Sequence, residues 1–268
     1  MPLWLVLSIG VIGAVGQLFD TVGGVGFGTF STSAVVSSGV SPAIAVAAVN
    51  LAKVGSGTAS AISHWKFGNV RWRWVLPLAV TGVIGGVAGG MLIANTPEAE
   101  LRTMVTWLLL VLGIMIVYRH RPGRTQIPPV SGGSTDSATA FVEAPSETRR
   151  RVAFLSLGTV AGFVNATSGA YGAFATPALM MARRGSPRYM VGSVNFAEIF
   201  VAGASAGTIL SQVEPTRDLW TVWAALSIGA LAMAPIGALV ARRANPRFLA
   251  LAIGVGLVAI NSWNLIKQ

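Results

Sequence analysis

Residues Asp20-Thr-Val-Gly-Gly-Val-Gly-Phe-Gly28 form a polar, glycine-rich break between two apolar runs, and a degenerate copy of the break occurs later in the chain. Adding 145 to each number carries Asp20 onto Asn165, Gly24 onto Gly169, Ser41-Pro42 onto Ser186-Pro187 and Asn50 onto Asn195, while Lys53 lands on Glu198. The register holds without a gap across that block. Few folds accept such a segment. Flexible polar backbone set between membrane-thick apolar runs, and copied once, is the pattern of two repeats that meet around a shared centre.

Composition restricts the class further. Of the 268 residues, 53% are hydrophobic and only 10% are charged, with a mean hydropathy of +0.67. A soluble domain of this length needs far more surface charge, so the expected class is all-α, a polytopic integral membrane protein. The net charge of +10 does not point to nucleic acid, because the Lys and Arg residues lie between the apolar runs, where cytoplasmic loops carry them. The chain has no Cys, which excludes disulfides and thiolate sites. No basic segment precedes the first apolar run, so no cleaved signal peptide is expected.

In chain order, residues 3–19 are uncharged and reach roughly 25 Å as a helix, slightly short of a crossing. The break at 20–28 follows, then a short run over about 27–38. Pro42 is well placed to open a helix over 42–63 that carries Asn50 and Lys53. The loop His64–Arg73 is basic and aromatic, an interfacial anchor pattern in which His64 reads as an anchor and not a ligand. An uncharged helix over 74–94 bears Gly82, Gly86 and Gly90, a stripe for close helix contact. An acidic turn at 95–100 leads to a helix over 103–118. Residues 119–151 read as a disordered linker between a first repeat, 1–118, and a second, 152–268. The second repeat gives 152–164, the break Asn165–Gly172, a short run to Ala182, and helices over 189–210, 219–241 and 248–263. Ala230, Ala234 and Ala238 match the glycine stripe.

Loop charge differs between matched positions. The turn near Ser41 is neutral but its copy at 183–188 holds three Arg. The basic loop at 64–73 matches a near-neutral one at 211–218, and the acidic turn at 95–100 matches the basic 242–247. Halves inverted in the membrane would produce this alternation, with the linker cytoplasmic and both termini outside. Inversion needs an odd count of crossings. Three full helices per half plus one re-entrant or broken pair, 3–38 and 152–182, supplies it. A plain eight-helix count with parallel halves is the other arrangement.

Non-helical backbone at membrane depth is tolerated where protein buries it or a watery cavity meets it. The two breaks therefore mark a candidate binding centre, drawn from Asp20, Thr21, Gly23, Gly24 and Gly26 in the first and Asn165, Thr167, Ser168, Gly169 and Tyr171 in the second. Glycine allows close backbone approach, and a helix N-terminus after each break adds positive dipole, which together favour an anion. Asn50 and Lys53 share one helix face, as do Asn195 and Glu198. An ionisable group at this depth costs about 2.5–3.5 kcal/mol on insertion scales unless paired. Lys53 and Glu198 read either as a neutralising pair between halves, or as a charge offered to an anion and a proton carrier; the two roles are compatible. Asp20 would repel an adjacent anion if ionised, and reads as a proton carrier, a partner for Lys53 or a helix cap. Two His residues cannot build a His-rich metal site, and no nucleophile elbow, P-loop or metalloprotease motif is present. No cofactor, metal or catalytic constellation is expected.

The arrangement Gly16…Asp20-Thr-Val-Gly-Gly-Val-Gly-Phe-Gly28, then Gly39-Val-Ser-Pro-Ala-Ile-Ala-Val-Ala-Ala-Val-Asn50, resembles the TauE/SafE sulfite exporter family. Gly68-Asn-Val-Arg-Trp-Arg73 before the glycine-striped helix is similar to it as well. The resemblance covers nearly the whole chain outside the linker. It implies a secondary carrier, without an ATP site or enzymatic activity, that exports sulfite or a small organosulfonate such as sulfoacetate across the cytoplasmic membrane. The implied partners are a small anion and the lipid bilayer, with a homodimer left open. A passive anion channel, an importer of a related anion and a non-transporting membrane subunit are the other readings.

Overall fold

A computed structural model of the chain describes residues 1–23, 26–121, 147–182, 187–241 and 246–267. Among these the elements are all helices: α1 (Leu3–Gly23), α2 (Phe27–Ser37), α3 (Pro42–Lys66), α4 (Trp72–Asn95), α5 (Glu98–His120), α6 (Glu147–Ser168), α7 (Tyr171–Ala182), α8 (Pro187–Leu210), α9 (Arg217–Ala241) and α10 (Pro246–Lys267). Pro42, Pro187 and Pro246 each open a helix, where a missing N–H leaves no bond unmade. Glu98 and Glu100 in the first turn of α5, with Arg119 and His120 in its last, complement the helix dipole. Gly39, at φ +93°, makes the turn after α2.

Six helices hold spans long and apolar enough to cross a bilayer: Leu3–Thr21, Trp72–Asn95, Glu98–His120, Tyr189–Leu210, Arg217–Gly237 and Phe248–Lys267. Leu3, Leu7 and Val11 on α1, Leu76, Val80 and Ile84 on α4, and Ile228 and Leu231 on α9 point apolar side chains outward. Lipid, and not water, is the solvent for such a surface. The chain is a polytopic all-α membrane protein. α3 is as long as the others but more polar, and it runs through the interior between α8 and α9.

Close approaches at glycine set the helix directions. Gly10 of α1 lies against Ala225 and Gly229 of α9, and Thr21 lies against Gly237, so α1 and α9 run parallel. Gly158 and Gly162 of α6 meet Thr81 and Gly82 of α4, and Ala166 meets Gly89, so α4 and α6 are parallel too. Gly113 of α5 meets Leu257 of α10, whereas Gly254 meets Val117, an antiparallel pair. Along α3 and α8, Val54 meets Gly203, Gly57 meets Ile199 and Ser60 meets Asn195, again antiparallel. The pair α1/α9 thus corresponds to the pair α6/α4, and the matched helices α3/α8 and α5/α10 pack on each other and run in opposite directions. α2 runs alongside α10, with Ser33 and Ser37 accepting from Asn261 and Asn264, and it doubles back on α1 as a hairpin, Phe30 lying against Phe19 and Ser31 against Gly16.

The glycine stripe of α4 has two faces. Gly82, Gly86 and Gly90 pack on Val201, Ser205 and Thr208 of α8, while Gly85 and Gly89 pack on Thr159, Phe163 and Ala166 of α6. The sequence reading found the first face and missed the second.

The hairpin tips are tighter than expected. α1 continues through Asp20 and Thr21 to Gly23, and α6 through Asn165, Thr167 and Ser168, so these residues are helical and not part of an extended break. The reason is local. Thr167 and Ser168 donate to carbonyls three and four residues back, and intrahelical bonds satisfy backbone that lipid cannot. α1, at 21 residues, is also long enough to cross, unlike the 17-residue estimate. α6 begins at Glu147 rather than 152. Gly24, most of the linker (122–146) and the basic turns at 183–186 and 242–245 lie outside the described residues.

Candidate functional site

The two hairpins meet backbone to backbone. A methyl group on Gly28, in the first turn of α2, would lie 1.7 Å from the Gly169 carbonyl oxygen at the tip of the second hairpin. Gly169 itself holds φ +71°, a conformation other residues adopt at a cost. Glycine is required on both sides of this contact.

Lys53, about midway along α3, reaches into the junction. Its ammonium donates to the Gly169 carbonyl at 2.7 Å and to Asn165 Oδ1 at 3.1 Å, and forms an ion pair with Glu198 of α8. An ammonium has three protons, so these acceptors use all of them. The Lys53 side chain is 10% exposed and that of Glu198 is 17% exposed. Burial of this degree makes each charge depend on the other.

Asparagines complete the centre. Asn165 donates to Asn50 Oδ1 at 2.7 Å and to Ser205 Oγ at 3.4 Å, and Asn50 donates to the Val46 carbonyl. Asn50, Asn165 and Ser205 are fully buried. α3, α6 and α8 are therefore joined by one connected polar network in which each described amide is used.

Asp20 occupies the first hairpin. Its carboxyl lies near the Phe27 N–H at the start of α2 and near the charges of both Glu198 and Lys53. Gly26 holds the N-cap position of α2, without a side-chain cap hydrogen bond.

The remaining expected residues divide. Tyr171 is buried and donates to the Leu78 carbonyl of α4 at 3.3 Å, and Gly26 immediately precedes α2 and accepts from Phe30. Thr21 bonds within α1, to Gln17, and lies against Gly237 of α9. Gly23 closes α1. Asn195, the numerical match of Asn50, does not pair with it. The antiparallel crossing of α3 and α8 sets Asn195 beside Ser60 at 3.5 Å, and Asn50 meets Asn165 instead. Sequence reasoning missed Ser205, which carried no signal beyond its place on a helix. It also missed Ser31 and Thr32, which the hydroxyl-rich run Thr29–Ser33 could have flagged. Among the described residues no group of His, Asp or Glu is placed to hold a metal ion.

A family model described as sulfite exporter TauE/SafE matches residues 9–263. A curated relative, the probable membrane transporter protein YtnM of Bacillus subtilis (strain 168), is 31% identical over 264 residues, covering 96% of this chain and 81% of its own length. No solved structure matches the chain. With the paired broken helices, the central polar network and a match across nearly the full length, the chain belongs to the TauE/SafE sulfite exporter family.

Proposed function

We propose that the protein is a secondary carrier that exports a small sulfur-containing anion, sulfite or an organosulfonate such as sulfoacetate, across the cytoplasmic membrane together with a proton. The observation that carries this reading is the Lys53 ammonium, held between a broken-helix tip and Glu198 in the middle of a membrane protein of this family. An arriving anion competes with Glu198 for Lys53. A carboxylate displaced from its paired cation in a buried site is costly, and taking up a proton removes the cost. Asp20 on α1, Lys53 on α3 and Tyr171 on α7 are the other titratable groups facing Glu198. The empty carrier recrosses with Lys53 and Glu198 paired, so the cycle moves one anion with one proton.

Topology supports export from a cytoplasm on a defined side. Of the 19 Lys and Arg residues, all but Lys53, Arg102, Arg217 and Lys267 fall at or between the helix ends where α3 leads to α4, α5 to α6, α7 to α8 and α9 to α10. That face is the cytoplasmic one by the positive-inside rule, with the 119–151 linker on it and both termini opposite. The repeats 1–118 and 152–268 are then inverted in the bilayer, and alternating access arises from the hairpins moving against the glycine-striped scaffold.

Liposomes containing the protein test this. Sulfite or sulfoacetate efflux is expected to saturate with concentration and to carry protons, read with an external pH dye. Glu198→Gln is expected to abolish the proton signal. Flux that rises linearly without limit fits a channel and overturns the carrier.

A further inference from the structure

Lys53 holds three acceptors, and an arriving anion has to replace one of them. They are not equally replaceable. The Gly169 carbonyl is backbone, pressed against Gly28 and fixed at φ +71°. The side-chain acceptors are Asn165 Oδ1 and the Glu198 carboxylate. An amide is the weaker partner for an ammonium, because a bond between two ionised groups is the stronger one. Left to itself, Asn165 would be the group to turn aside. The anion would then reach Lys53 with Glu198 still paired, and no proton would be needed.

Asn165 is not left to itself. Its NH2 group donates to Asn50 Oδ1 at 2.7 Å and to Ser205 Oγ at 3.4 Å. Both acceptors are themselves oriented. Asn50 donates its NH2 to the Val46 carbonyl at 3.0 Å, which turns its oxygen toward Asn165. Ser205 donates its hydroxyl proton to the Val201 carbonyl at 2.8 Å, which leaves a lone pair for Asn165. Ser205 Oγ is also packed on α4, where a methyl group on Gly86 would lie 2.8 Å from it. The row runs in one sense, from a main-chain carbonyl through two amides to the ammonium. Reversing the Asn165 amide would set oxygen against oxygen at Asn50 and NH2 against Lys53. Asn50, Asn165 and Ser205 are all at 0% exposure, so bulk water does not replace a bond that breaks. Glu198 has no such anchors: among the described residues it has Lys53 and no other hydrogen-bonding partner.

We infer that Asn50 and Ser205 are the coupling residues of the carrier: by pinning Asn165 they leave Glu198 as the acceptor that yields to the anion, and so tie anion binding to proton uptake. They are positioning residues, which touch Asn165 and not the anion. The inference rests on the proton-coupled carrier reading above. Freed from them, Asn165 swings aside in place of Glu198, and the anion crosses without its proton. Asp20, Lys53 and Tyr171, which face Glu198, are untouched by changes at Asn50 and Ser205.

The test is the number of protons moved per sulfite in liposomes, with an external pH dye and sulfite efflux read together. The wild type is expected to move about one proton per anion. Asn50→Leu combined with Ser205→Ala removes both anchors, and loss of two such bonds shifts the balance between the two routes by about tenfold or more. The double variant is expected to keep saturable sulfite flux while its proton ratio falls well below half the wild-type value. Asn261→Leu is the control for the structural cost of losing a buried amide, since Asn261 bonds Ser33 and the Leu257 carbonyl, outside this network. It is expected to lower the melting temperature and keep the wild-type ratio. Ser205→Ala alone deletes only the longer bond, so it reads the ratio where the double variant does not fold; its value is expected to lie below that of the wild type. A wild-type ratio in the double variant, or in Ser205→Ala where that stands in for it, overturns the inference and leaves the carrier reading standing. An equal fall of the ratio in Asn261→Leu overturns it too. Saturable sulfite flux without protons in the wild type overturns the proton-coupled reading and the inference with it.

Discussion

Gly28→Ala is expected to stop anion flux and to lower the melting temperature, although it adds a single methyl group. That methyl would stand 1.7 Å from the Gly169 oxygen and 2.5 Å from its carbonyl carbon. Carbon and oxygen need more than 3 Å, so the tips must separate by on the order of 1.5 Å. Neither side gives easily. The obstacle is backbone and not a flexible side chain, Gly169 is fixed at φ +71°, and its oxygen is held by Lys53 at 2.7 Å. Overpacking of this kind costs about 1–3 kcal/mol, and this case belongs at the upper end. The functional loss exceeds the stability loss, because separation at the tips also draws Gly169 away from Lys53. Gly55→Ala is the matched control. A Cβ there meets nothing within 4 Å, and α3 is helical on both sides of it. That variant is expected to melt higher, by up to about 1 kcal/mol of added stability, and to transport normally. Vesicle flux and thermal melting of the two variants check the pair; equal behaviour would mean that the tips are not in contact.

The contrast between these glycines marks what the sequence could convey. The repeat at offset 145, the positions of the two breaks and the facing of Lys53 and Glu198 were legible, because each depends on residue type against an apolar background. The stripe Gly82/Gly86/Gly90 was legible for the same reason. The extent of the breaks was not. Asp20, Asn165, Thr167 and Ser168 look like loop residues by type, yet the need to satisfy backbone within lipid keeps them helical. Partner choice was also out of reach. Numerical symmetry matches Asn50 with Asn195, but the antiparallel crossing of α3 and α8 carries Asn195 to Ser60 and leaves Asn50 to Asn165. Crossing geometry is a tertiary property that no local spacing encodes. The run Thr29–Ser33 advertises hydroxyls, but it does not say that Ser31 and Thr32 are the buried ones left without a partner among the described residues, since a serine that bonds its own helix and one that does not are the same letter.

Lys53 separates the structural from the functional reading of the centre. Lys53→Met is expected to destabilise the protein by about 3–5 kcal/mol, because it leaves the Glu198 carboxylate buried without its cation. It also deprives Asn165 Oδ1 and the Gly169 carbonyl of their donor. Loss of flux in this variant alone would therefore say little. Lys53→Met combined with Glu198→Leu removes both charges, and replacing a buried ion pair by apolar side chains of similar volume is often neutral or stabilising. The double variant is expected to recover most of the melting temperature. It is not expected to recover flux, since among the described residues no other cation sits at the junction to attract an anion, and Asp20 and Tyr171 would be the ionisable side chains left beside it. If the pair only neutralises the interior, the double variant transports as well as it folds, and saturable sulfite flux from it would dismiss Lys53 as the charge that holds the substrate. Stability restored without transport has the opposite meaning: the protein keeps two costly charges inside the membrane because the anion needs one of them and the proton needs the other.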